Sequence, residues 1–74
     1  MFGISEATLQ ALCEQFPTGT RVELVKMDDP QAPPPGTKGI VEYIDSLGTI
    51  HVRWDNGSGL GIAYGEDVCR KVVD

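Results

Sequence analysis

A chain of 74 residues with 41% hydrophobic content has material for one domain and one modest core, and is too apolar to stay disordered. Its net charge of −5 argues against non-specific nucleic-acid binding, which needs a surplus of Lys and Arg against phosphate. No apolar run reaches the ~18 residues of a membrane span, and the opening MFGISEATLQ carries Glu6 and no basic residue, unlike a signal peptide. A soluble, cytoplasmic protein is expected.

The first element is a helix over residues 5–16, SEATLQALCEQF. Ser5 is a good N-cap, and Glu6 complements the positive end of the helix. Leu9, Leu12, Cys13 and Phe16 form one apolar stripe at helical spacing. Pro17 and Gly19 end it. A helix of three turns is marginal alone, so the stripe must dock on something.

From residue 20 the apolar period falls to two. TRVELVKM (20–27) reads as a strand, followed by MDDPQAPPPG (27–36), a long proline-stiffened loop. Pro30 and Pro33 form a PxxP pattern there, best read as stiffening of the loop and not as a ligand for another module. KGIVEYID (38–45), TIHVRW (49–54), LGIAY (60–64) and VCRKVV (68–73) complete five strands. A long first connection and tight later ones give the pattern of a small SH3-like barrel. The expected architecture is mainly β: one domain over 1–74, with a five-stranded SH3-like barrel over 19–73 and the N-terminal helix packed on it.

The glycine-rich stretch DNGSG between the third and fourth strands reads as a turn, since Asn-Gly is a strong hairpin signal. A three-residue loop, Asn56-Gly57-Ser58, pairs Trp54 with Leu60, Val52 with Ile62 and Ile50 with Tyr64, placing all six on one face. The stretch lacks the Lys and helix start of a P-loop, the strand–helix context of a dinucleotide loop and the oxygen spacing of a calcium loop. The opposite face of 60–64 is then nearly bare: Gly59, Gly61, Ala63 and Gly65, edged by Arg53 and His51. Glycine within a strand marks a close approach to the backbone. The expected visitor is the helix; the alternative is a partner or ligand held by His51, Arg53 and Gly61.

Cys13 and Cys69 read as reduced, partly buried thiols, with a disulfide as the second choice. Neither cysteine sits in a zinc-type grouping, so no metal site is expected. His51 is the one histidine, with no nucleophile paired to it by any motif. Asp28-Asp29 and Glu66-Asp67 read as turn-shaping acids. No catalytic residue and no cofactor is expected, and the chain does not read as an enzyme.

The stretches GTRVELVKMDDPQAPPPGTKGIVEYID and GTIHVRWDNGSGLGIAYGEDVCRKV resemble the domain-of-unknown-function family 4314, over about residues 16–72. The resemblance implies an origin in Firmicutes, their phages or other mobile elements, and brings no activity or catalytic residue. WDNG is also similar to a stretch in SH3-like modules of some eukaryotic ubiquitin ligases, which implies the same barrel. By analogy with such barrels, partners would meet Asp28, Asp29 and Pro34 on the long loop, Ser46-Leu47 on the second turn, and Tyr64, Glu66 and Asp67 before the last strand. The expected function is a non-enzymatic module that binds a protein or peptide through this acidic surface. One alternative is a mobile-element inhibitor of a host defence or regulatory protein. Another is nucleic-acid binding through Arg21, Lys38, Arg53 and His51, which the net charge opposes.

Overall fold

The computed structural model describes residues 4–73. The reading of the opening Met1-Phe2-Gly3, and the extension of the domain to residue 74, lie outside them. Helix α1 spans Glu6–Gln15, as the apolar stripe and its flanks predict. Ser5 is its N-cap in an extended conformation, its hydroxyl accepting from the Thr8 amide at 3.2 Å. Phe16 closes the helix, its amide donating to the Leu12 carbonyl. Pro17 cannot continue it. The chain is then pinned to the sheet: the Gly19 amide donates to the Val41 carbonyl at 2.8 Å and the Thr18 hydroxyl to that of Glu42 at 2.8 Å.

Four strands follow: β1 Arg21–Lys26, β2 Lys38–Ile44, β3 Ile50–Trp54 and β4 Val68–Lys71. They form one antiparallel sheet in the order β3-β2-β1-β4. The fold is therefore mainly β, with one helix and a four-stranded open sheet. The predicted strand over 60–64 is reduced to a single bridge, Ile50↔Ile62. Glycines at 59, 61 and 65 give that segment little side-chain packing to hold a longer ladder.

The hairpin after β3 keeps a three-residue loop, but that loop begins one residue earlier than predicted. The Gly57 amide donates to the Trp54 carbonyl at 2.9 Å, and the Trp54 amide to the Ser58 carbonyl at 3.0 Å. The loop is thus Asp55-Asn56-Gly57, with Gly57 at φ 91° in the position that favours glycine. Ile50 pairs with Ile62, not with Tyr64, a register two residues from the predicted one. A two-residue displacement keeps every side chain on its face, so Ile62 is still buried. Trp54 and Leu60 do meet, but through the indole Nε1–H, which donates to the Leu60 carbonyl at 2.8 Å.

The core comprises Val22, Leu24, Val41, Ile50, Val52, Trp54 and Ile62, with Leu12, Phe16, Met27, Ile44 and Cys69 packed against it. Strict alternation would bury Tyr43 with Val41. A bulge between Val41 and Tyr43 resets the phase. Tyr43 turns outward, 55% exposed, and Ile44 turns to the core. A second bulge between Leu24 and Lys26 does the same for Met27. The long loop folds back on β1 instead of standing free. Leu24 donates to the Thr37 carbonyl and accepts from the Gly36 amide, both at 2.8 Å, and Pro33 is buried.

A candidate binding surface under the helix

Helix α1 does not lie over the bare glycine strip. A Cβ at Gly59 would meet nothing within 4 Å, and one at Gly61 would sit 2.6 Å from Thr49 Cγ2. Gly61 is small because Thr49 and Ile50, at the entry to β3, approach it closely, which corrects the expectation that the helix visits there. The helix instead turns Leu12 and Phe16 onto the edge of the core. Leu9 is half-buried but outside the core cluster, and Cys13 is exposed, so only half the stripe is used. Cys13 and Cys69 are both free thiols. Cys13 departs from the expected partial burial, whereas Cys69 is half-buried, and burial pushes its thiol up to about 11.

Between α1 and the sheet lies an open cavity of about 190 Å³. Leu12 and Phe16 form one wall, Ile50 and Ile62 the floor, and Tyr64 with Val68 the lip. Its lining is overwhelmingly apolar, with Asp67 as the ionisable carboxyl group. Gly48 belongs to the same wall: its φ is 84°, and a Cβ there would lie 2.8 Å from Ile4 Cδ1 and 3.4 Å from Tyr64 Cβ. The lip residues Tyr64 and Val68 are 55% and 47% exposed, and Lys71 Nζ lies 5.9 Å from the centroid of the Phe16 ring.

The eight residues predicted to meet a partner fall into three groups, of which Ser46 and Leu47 are exposed between β2 and β3 and line none of the cavity. Tyr64 and Asp67 line the cavity, and Glu66 is exposed between them in sequence. Asp67 Oδ2 accepts from the Ala63 amide at 2.9 Å and so holds the turn that carries Tyr64. Asp28, Asp29 and Pro34 are exposed on the long loop and line none of the cavity. Asp29 accepts from the Gln31 amide at 2.8 Å, the turn-shaping role read for it from sequence.

The outer face carries a different arrangement. Tyr43 and His51 stack with centroids 4.2 Å apart and planes at 11°. His51 Nε2 lies 2.9 Å from Asp45 Oδ2, while Asp45 Oδ1 accepts from the amides of Leu47 and Thr49. The His51 contact first, and the Thr49 amide second, hold the Asp45 carboxyl below its usual 3.8. Arg21 grips Asp55 through two hydrogen bonds, of 2.9 and 2.6 Å, which lowers the Asp55 carboxyl as well. Two of the four residues considered for nucleic acid, Arg21 and His51, therefore face carboxylates, while Arg53 is exposed. The Tyr43–His51 stack was missed from sequence. Its signal is the switch of apolar positions from Val41 to Ile44, which only a bulge reconciles with one buried face.

Among the described residues no group of three or more His, Cys, Asp or Glu could hold a metal ion, and no helix is long and apolar enough to cross a membrane. Residues 5–72 match the family described as Domain of unknown function (DUF4314), and the chain belongs to that family. No curated protein and no solved structure gave a match.

Proposed function

We propose that this chain is a non-enzymatic module that binds a protein or peptide partner through the acidic surface around Tyr64. The observation that carries the reading is the apolar cavity under α1, whose lip holds an exposed Tyr64 beside Glu66 and Asp67. An exposed aromatic at the mouth of an apolar recess, flanked by carboxylates, suits a partner that offers apolar and basic groups together. The architecture is read as an SH3-like barrel. The strand order β3-β2-β1-β4, with the 58–62 segment returning to β3, supports it.

Random peptides displayed on phage and panned against the protein test this reading. Enriched peptides should carry Lys or Arg. They should bind the Tyr64→Ala, Glu66→Lys double variant at least about tenfold more weakly, the scale of an interface anchor. Equal binding to the variant would place the surface elsewhere. A panning that enriches nothing above a scrambled control would overturn the module itself.

A further inference from the structure

We infer that the cavity under α1 receives one branched or aromatic side chain of a partner peptide, and that Asp67 receives a Lys or Arg beside it. This inference rests on the binding-module reading and names the chemistry of the partner.

Size sets the first limit. Cavities of roughly 150 Å³ lined by Leu, Ile and Phe accept a ring the size of benzene. The cavity here is about 190 Å³ and shares that lining in Leu12, Phe16, Ile50 and Ile62. It holds one Leu, Ile or Phe side chain and no more. Unlike an internal void it is open to solvent, so the occupant can come from another chain.

The walls point the same way. No residue of α1 is buried, yet Leu12 and Phe16 pack against the core with the cavity between helix and sheet. Apolar walls that face solvent are stabilised when an inserted apolar side chain takes them out of water. The lip adds Tyr64 and Val68, both exposed, so an apolar stem entering the cavity stays covered as it leaves.

Charge sets the second limit. Asp67 Oδ2 is committed to the Ala63 amide, and among the described residues Oδ1 has no partner. Glu66 stands next to it, exposed. Lys71, over the Phe16 ring, makes that flank cationic, so the partner's cation belongs on the Asp67 side. A charge-assisted hydrogen bond to Asp67 Oδ1 would fix the direction of the peptide.

The test is a set of capped pentapeptides titrated into the labelled full chain and read by methyl and amide NMR. Gly-Leu-Arg-Lys-Gly should shift the methyls of Leu12, Ile50 and Ile62. Gly-Ala-Arg-Lys-Gly and Gly-Leu-Glu-Glu-Gly should each bind at least about tenfold more weakly. Asp67→Asn keeps an acceptor oxygen for the Ala63 amide and removes the charge. It should weaken the Leu-Arg peptide while leaving the amide spectrum of the free protein otherwise intact. Cys69→Phe, which fills the cavity, should abolish the methyl shifts.

Three results would overturn the inference. Panned peptides that shift only the Asp28–Pro34 loop would leave the module reading standing and remove the cavity. Equal binding of the Leu and Ala peptides would remove the side-chain pocket. Cavity methyls that shift on dilution of the protein alone would assign the cavity to a second copy of the chain.

Discussion

Gly39 lies where three neighbouring atoms leave no room for a side chain. A Cβ there would meet Val52 Cγ1 at 2.6 Å, the Arg53 carbonyl oxygen at 2.8 Å and Trp54 Cε3 at 2.9 Å. The carbonyl belongs to the paired strand and cannot swing aside, so Gly39→Ala must move β2 off β3. Overpacking of this kind costs about 1–3 kcal/mol, and a urea melt of the variant should show a lower midpoint with an unchanged slope. Asp45 makes a pH-dependent contribution instead. Its folded carboxyl titrates below the usual 3.8, so its contribution is complete above that value and disappears as pH falls through the lower, folded one. Asp55, held by Arg21, acts in the same direction. In Asp45→Asn the urea midpoint should fall less steeply between pH 5 and pH 2 than in the unmodified chain, since one of the two carboxylates has gone. Equal slopes would show that Asp45 is not among the groups that acid titrates.

Helix α1 is held by few groups. Ser5 caps it, Leu12 and Phe16 reach the core, and none of its residues is buried. Loss of an N-cap hydroxyl costs about 1 kcal/mol of helix stability. Ser5→Ala should therefore speed amide exchange across 9–15 while leaving Val41 and Val52 protected, because local opening of α1 does not need the sheet to open. Exchange that rises equally in helix and sheet would mean the two unfold as one. The helix was legible in the sequence because its cap, stripe and Pro17 all agree. The four strands were legible for the same reason, their apolar residues alternating against Gly and Pro boundaries. What alternation hides is its own interruption. The bulge at β2 turns Tyr43 onto His51 and Ile44 into the core, and strict alternation reads past its one sign, the odd-to-even shift from Val41 to Ile44. The hairpin failed differently. Any displacement by two residues satisfies the face argument, so it could not choose between Tyr64 and Ile62 as the partner of Ile50, and the turn geometry at Gly57 chose. The cavity was out of reach for a third reason. It needs the helix and the 64–68 turn to converge, which no local pattern encodes, although analogy with SH3-like barrels points to Tyr64 and Asp67.

At the scale of the whole molecule, the free thiols leave the fold to its core and its ladder alone. The net charge of −5 should make the affinity of any basic peptide fall as salt rises, mostly through slower association, and a titration from low to high sodium chloride would read it. Trp54 adds a property of another kind. It is the single tryptophan of the chain, 1% exposed, and its indole N–H is bound to the Leu60 carbonyl. Its fluorescence emission therefore reports the joint between β2, β3 and the 58–62 segment. Trp54 does not line the cavity, so a peptide entering there should leave the emission maximum in place, whereas loss of the sheet should shift it to the red. The molecule thus carries an intrinsic dye that is blind to occupancy and sensitive to unfolding, and one cuvette can separate a variant that no longer binds from one that no longer folds.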